Sequence, residues 1–228
     1  MNKVRENLFR VKESIQAAAL RSGREAQSVK LIVVTKHFDV EGIREVYELG
    51  ERDFGENHVQ ELLEKTKLLP NDICWHLIGH LQTNKMKLVV GQAQWIHSVD
   101  SLKLACKLDG EGQQRNVKIH ALVQCNTSRE KSKFGLSPEG IHEFLGQASR
   151  FRFLDIQGFM TMAPLGAEER VLRKAFSDLR SIFENAKKFF PQFRWHHLSM
   201  GMTQDYEIAV EEGATMVRVG TAIFGERS

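Results

Sequence analysis

The stretch Val29-Lys30-Leu31-Ile32-Val33-Val34-Thr35-Lys36 decides the fold. It is a β-branched apolar run of strand length, the composition of a strand buried on both faces in a parallel sheet. Asp39-Val40-Glu41-Gly42-Ile43 then opens a helical pattern, which puts Lys36 at the carboxyl end of a strand, just before a strand-to-helix turn. In α/β sheets and barrels this is the edge where chemistry is placed. A lysine held there over a packed interior can shed part of its hydration and form a Schiff base with a carbonyl compound. A lysine that only snorkels from a strand end into solvent has the same local sequence.

Outward from that strand, short apolar runs alternate with helical patterns almost without a gap. Strands are expected at 29–36, 52–55, 73–79, 95–98, 117–126, 153–160, 196–199 and 216–220. Ahead of the first, Val4, Leu8, Val11, Ile15 and Ala18 recur at helical spacing. Asp39 is placed to cap a helix ending near Gly50. Asn57 with Gln60 reads as a capping box, and Ser137-Pro138 sets a capping hydroxyl before a first-turn proline. Val171, Leu172, Ala175, Phe176, Leu179, Ile182 and Phe183 mark the longest helix, and Pro70, Pro138, Pro164 and Pro191 all fall at boundaries. The pattern predicts an α/β fold: one TIM (β/α)8 barrel spanning 1–228, with an extra N-terminal helix, in preference to an open doubly wound sheet. No G-x-G-x-x-G or Walker-type loop supports a dinucleotide or P-loop fold.

With 42% hydrophobic and 27% charged residues, a chain of 228 residues can build its core without staples. The net charge of +3 is mild, and basic residues alternate with acidic ones, as in Glu61-Leu62-Leu63-Glu64-Lys65. No nucleic-acid partner is expected. Cys74, Cys106 and Cys125 are odd in number, with no C-x-x-C and no zinc-spaced histidine pair. This implies a reducing compartment, buried unpaired thiols and no structural metal. Residues 1–7 are charged and unlike a signal peptide, and no apolar run nears the roughly 20 residues that span a bilayer. A soluble cytoplasmic protein with no membrane partner is expected.

In a barrel the strand-end segments converge on one face. Here they are small, polar or glycine-containing, among them Thr35-Lys36-His37, Gly55-Glu56-Asn57, Ser199-Met200-Gly201-Met202-Thr203 and Arg218-Val219-Gly220-Thr221. The last two resemble a phosphate site, since barrels often bind phosphate through the loops after strands seven and eight. Gly201 and Gly220 would let the backbone approach an anion, with hydroxyl donors from Ser199 and Thr221. The same glycines would also serve plain tight turns. Arg218 lies in an apolar strand, so it should point into the barrel mouth or core, where it needs an acceptor. A carboxylate such as Glu56 or Asp100 would serve, as would a bound group. A strand-end lysine, a phosphate cradle and an interior arginine are together satisfied by pyridoxal phosphate, which offers an aldehyde, a phosphate and a ring nitrogen. A phosphosugar aldolase would use the first two features, with less use for the arginine.

Longer motifs carry a resemblance. Val34-Thr35-Lys36, Phe54-Gly55-Glu56-Asn57-His58-Val59-Gln60-Glu61, Trp75-His76-Leu77-Ile78-Gly79-His80-Leu81-Gln82-Thr83-Asn84-Lys85 and His97-Ser98-Val99-Asp100 are followed by Leu198–Glu207 and Arg218–Gly225 segments of the same kind. Together they resemble the pyridoxal phosphate homeostasis protein family from the first strand to the C-terminus. Thr35 and Thr203 stand where serine is common, and both keep a hydroxyl. The resemblance implies a barrel similar to the N-terminal one of alanine racemase and pyridoxal phosphate carried covalently on Lys36. It further implies phosphate contacts from Ser199, Gly220 and Thr221, with Met200 in the same loop, Arg218 near the pyridine nitrogen and Asn57 beside the cofactor. It also implies a carrier or regulator of cellular pyridoxal phosphate, affecting amino-acid and keto-acid balance, without established turnover.

The residues bear on catalysis separately. Racemisation needs a second acid/base opposite the lysine. Racemases of the related fold supply a tyrosine from an added C-terminal domain, whereas only eight residues follow Gly220 here. Tyr47 and Tyr206 fall in expected helices and read as packing residues, leaving His37 and His80 as possible stand-ins. An arginine at the ring nitrogen would also keep it unprotonated and weaken the electron sink. The expectation is a non-enzymatic, monomeric carrier with no catalytic residues, serving pyridoxal-phosphate-requiring apoenzymes. An amino-acid racemase of the alanine-racemase fold is the alternative.

Overall fold

The computed structural model describes residues 3–128, 130 and 134–225. All eight expected strands are present: β1 (Lys30–Val34), β2 (Asp53–Glu56), β3 (Cys74–Leu77), β4 (Trp95–Val99), β5 (Ile119–Gln124), β6 (Leu154–Met160), β7 (His197–Ser199) and β8 (Met216–Val219). They pair in parallel in chain order, and β8 closes on β1 with Ile32 opposite Arg218. Around them lie α1 (Lys3–Arg21), α2 (Val40–Glu48), α3 (Val59–Leu68), α4 (Met86–Val89), α5 (Leu102–Arg115), α6 (Ile141–Ala148), α7 (Glu169–Phe189), α8 (Tyr206–Glu211) and α9 (Thr221–Phe224). This is the TIM barrel the alternation predicts.

Burial on both faces explains why the strands are so apolar: four of the five residues of β1 are buried. Leu31, Val33, Leu77, Ile96, Leu198, Val217 and Val219 pack outward with Ile43, Leu62, Leu104 and Phe176 of the helices in the main core. A smaller cluster of Ile32, Leu122, Met160 and Met216 is separate from it and lies on the alternate, inward-facing positions. Fully burying each such side chain stabilises the fold by roughly 1.5–3 kcal/mol. His76, His97, Ser199 and Arg218 share the inward positions and are buried too. The barrel interior is therefore partly polar.

The N-terminal helix α1 buries Leu8, Val11, Ile15, Ala18 and Ala19. It is tied to the last two helices by Asn7 donating to the Ile223 carbonyl at 3.0 Å and by Arg21 pairing with Glu207 and Glu211. Asp39 caps α2 by accepting the Gly42 N–H, and Ser137 accepts the Gly140 N–H, both as expected. Two expectations need correction. Asn57 is not the cap of α3: that position is His58, with no side-chain cap bond. Cys125 is buried, but Cys74 is half-buried and Cys106 exposed, because α5 buries its other side through Leu104, Ala105 and Leu108. Among the described residues, no helix is long and apolar enough to cross a membrane.

Candidate functional site

At the carboxyl ends of the strands a cavity of about 670 Å³ brings together Lys36, Asn57, Asp205, Arg218, Gly220 and Thr221. Apolar walls come from Val34, Ile78, Met162 and Leu165. Five of the residues expected from sequence thus share one space. Ser199 and Met200 do not line it; both are fully buried beneath the mouth.

Lys36 sits two residues beyond β1, in a turn held from below. Buried Thr35 donates its hydroxyl to Glu56 at 2.6 Å, and its N–H reaches the Gly55 carbonyl at 3.0 Å. Lys65 of α3 donates to the Thr35 carbonyl at 2.7 Å and to Glu56 at 2.6 Å. The His37 N–H is accepted by Glu61 at 2.7 Å, with His37 in the left-handed region at φ 65°. For a residue with a Cβ that conformation costs roughly 1 kcal/mol, so these bonds hold the turn in a shape it would not choose alone. The Lys36 side chain is exposed. The packed interior below therefore fixes where the amine starts but does not strip its water.

The Thr35–Glu56–Lys65 trio was hidden in the sequence, where Lys65 read only as one of the alternating charges of Glu61–Lys65. Its one signal is spacing, since Lys65 falls on the apolar stripe of Val59, Leu62 and Leu69. Burial raises the Glu56 carboxyl above its ordinary range, against the pull of Lys65 and Thr35. Its Oε2 has no hydrogen-bond partner among the described residues.

Arg218 is buried, as expected of its place in β8, but its acceptors are not carboxylates. Nη1 donates to Ser199 Oγ at 2.6 Å and Nη2 to the Thr161 carbonyl at 2.9 Å. Glu56 is engaged with Lys65, and Asp100 with His80 at 3.0 Å. Burial lowers the guanidinium to about 10, with Asp205 opposing, so it stays charged at neutral pH. Asp205 accepts the Met202 N–H at 2.6 Å and shapes the turn after β7. Ser199 Oγ also contacts His97 Nδ1 at 2.9 Å, so its hydroxyl is taken up inside the barrel.

Packing requires both glycines, whatever else they serve. A Cβ on Gly220 would lie 2.7 Å from the Val34 carbonyl oxygen, so glycine there permits the close approach of β8 to β1. Gly201 has φ +93°, and its Cβ would stand 2.6 Å from the Ala209 Cβ. Both requirements come from packing. Just beyond Gly220, α9 opens at Thr221, and the first N–H groups of a helix have no partner within it.

Among the described residues, two other groups of side chains could hold a metal by proximity, namely Asp53–Cys74–His76 and His37–His58–Glu61. In the first, Asp53 Oδ1 already bonds Lys30 at 2.8 Å and His76 at 2.9 Å. Burial pushes the Cys74 thiol up to about 12, away from the thiolate a metal needs. Hydrogen bonding accounts for that cluster.

A family model described as the N-terminal domain of alanine racemase matches residues 7–228. The pyridoxal phosphate homeostasis protein of Aquifex aeolicus is 39% identical over 223 residues, covering 97% of each chain. That of Escherichia coli K12 is 34% identical over 231 residues, covering 100% of this chain and 98% of the other. PipY of Synechococcus elongatus, solved with PLP bound, superposes with a TM-score of 0.82 at 39% identity, over 93% of this chain and 99% of that one. An alanine racemase of Clostridium difficile matches at TM-score 0.77 and 14% identity, over 99% of this chain and 57% of the racemase, a likeness of fold alone. By sequence and by fold, the chain belongs to the pyridoxal phosphate homeostasis protein family.

Proposed function

We propose that the protein binds pyridoxal phosphate as a Schiff base on Lys36 and regulates the supply of that cofactor as a cytoplasmic, monomeric carrier, not as an enzyme. One observation supports this most directly: a single cavity collects the amine of Lys36, the guanidinium of Arg218 and the helix start at Gly220-Thr221. The solved relative titled as holding PLP supports the same ligand.

The donor set suits the group. When bound, pyridoxal phosphate supplies an aldehyde that condenses with a primary amine, losing one water, and a conjugated ring. Lys36 offers that amine on a braced turn. The N–H of Thr221 at the start of α9, with the hydroxyls of Thr221 and Thr203, would hold the phosphate. Arg218 can only donate, so a ring nitrogen facing it is held unprotonated. Asn57 gives an amide at the side. Ser199 acts through Arg218, because its hydroxyl is already used.

The racemase alternative has the fold in its favour; besides Lys36 and Arg218 the titratable residue lining the cavity is Asp205, whose carboxylate already accepts the Met202 N–H. Tyr47 donates to Asp72 at 2.8 Å on the outer surface, and Tyr206 bonds Ser14 of α1. His80 is paired with Asp100 and stacked on Phe134. Mixing purified protein with pyridoxal phosphate should give a visible absorption band, and borohydride should fix the mass of the cofactor to the Lys36 peptide. No band would end both readings. Sustained isomerisation of an amino acid, lost in Lys36→Ala, would replace the carrier with the racemase.

A further inference from the structure

Below the cavity a single file of hydrogen bonds crosses the barrel. Arg218 Nη1 meets Ser199 Oγ at 2.6 Å, and Ser199 Oγ meets His97 Nδ1 at 2.9 Å. His97 Nε2 meets His76 Nδ1 at 2.9 Å, and His76 Nε2 meets Asp53 Oδ1 at 2.9 Å. Residues from β8, β7, β4, β3 and β2 are thereby joined, from the cavity to the amino-end rim, where Lys30 also holds Asp53. Arg218, Ser199, His97 and His76 are all buried.

The ends dictate the direction. A guanidinium can only donate, and an ionised carboxylate can only accept. Burial would raise the Asp53 acid, but His76 and Lys30 outweigh it and bring it to about 2, so it is ionised. Ser199 accepts from Arg218. A neutral His76 that donates to Asp53 must accept from His97, so neutral His97 in turn accepts the Ser199 O–H at Nδ1. His97 must then carry its proton on Nε2 and give it to His76 Nδ1. His76 in turn donates from Nε2 to Asp53. Both imidazoles are neutral, in keeping with the burial that lowers each of them. Every proton in the file has one place.

We propose that His97 is a positioning residue for the cofactor site: by taking the Ser199 proton it turns a serine lone pair toward Arg218 and so fixes the guanidinium that faces the cavity. A serine hydroxyl alone has three staggered positions, and the imidazole selects one. This rests on the cavity being the pyridoxal phosphate site, and the test separates the two claims.

In protein without added cofactor, 15N NMR should find His97 and His76 neutral with the proton on Nε2. Arg218 should show separate, slowly rotating Nη groups. An Nδ1–H or charged His97 overturns the proposal, as do Arg218 signals that average equally fast in wild type and Ser199→Ala. With pyridoxal phosphate added, His97→Leu should lose about tenfold in affinity, the size of one charge-assisted hydrogen bond. Its visible spectrum should shift as Arg218→Lys shifts, and the double variant should shift no further. His97→Gln, which keeps an acceptor toward Ser199 and a donor toward His76, should restore both. An unshifted spectrum in folded His97→Leu overturns the proposal; if that variant does not fold, Ser199→Ala carries the same expectation. Wild-type protein that takes up no cofactor defeats the site assignment, while the NMR result still decides the hydrogen-bond file.

Discussion

The mouth of the barrel and its interior use the same kinds of side chain to opposite ends. In the interior, His76, His97 and Ser199 are matched so that each hydrogen bond is answered by the next group. At the mouth, Lys36 and Thr221 are exposed and line the cavity. Arg218 belongs to both, with two N–H groups spent inward on Ser199 and Thr161 while the side chain lines the cavity. Buried polar groups are normally satisfied by the protein itself. The contrast marks where the proposed ligand would do that work.

The largest effect that could break this contrast is chemical. Lys36→Ala should abolish all borohydride-trapped cofactor yet leave unfolding free energy within about 0.5 kcal/mol, because the side chain is exposed. Label surviving on another peptide would move the site elsewhere. Next, Lys65→Met leaves Glu56 buried without its cation, at a cost of about 3–5 kcal/mol in urea unfolding. A loss under about 1 kcal/mol would show that Glu56 takes up a proton instead, given a carboxyl already raised by burial.

Gly220→Val should cost about 2–3 kcal/mol by forcing β8 from the Val34 carbonyl. Unchanged stability with lost cofactor would mean that the glycine serves the phosphate after all. The smallest effect tests the interior. Folding lowers the Asp53 acid from 3.8 to about 2. Its contribution is therefore whole above pH 3.8 and fades as pH falls through about 2. We expect about 1–2 kcal/mol, discounted for the partial exposure of Asp53. Asp53→Asn should flatten that part of the stability curve, and an unchanged curve would remove Asp53 as the anchor of the file.

The strands were legible because burial on both faces leaves a continuous apolar signature, as in Leu31–Val34. Lys36, Asn57, Arg218, Gly220 and Thr221 were legible because strand ends must converge in a closed barrel. What they bond was not. Arg218 could have met a carboxylate and found Ser199 and Thr161, since residues at the ends of β6, β7 and β8 become neighbours only once those strands pair. Asn57 has the composition of a cap, but α3 starts one residue later and Asn57 lines the cavity. His97 and His76, 21 residues apart, give no local sign that their rings touch.

One consequence follows from the one-way run of hydrogen bonds. A cation at one end of the barrel and an anion toward the other form an ion pair whose members never meet. Each intervening O–H and N–H dipole points its positive end at Asp53, along the field between the two charges. In a low-dielectric interior such alignment is mutually reinforcing. The barrel is thus polarised along its length, and cutting any link would strand Arg218 and Asp53 as separate charges.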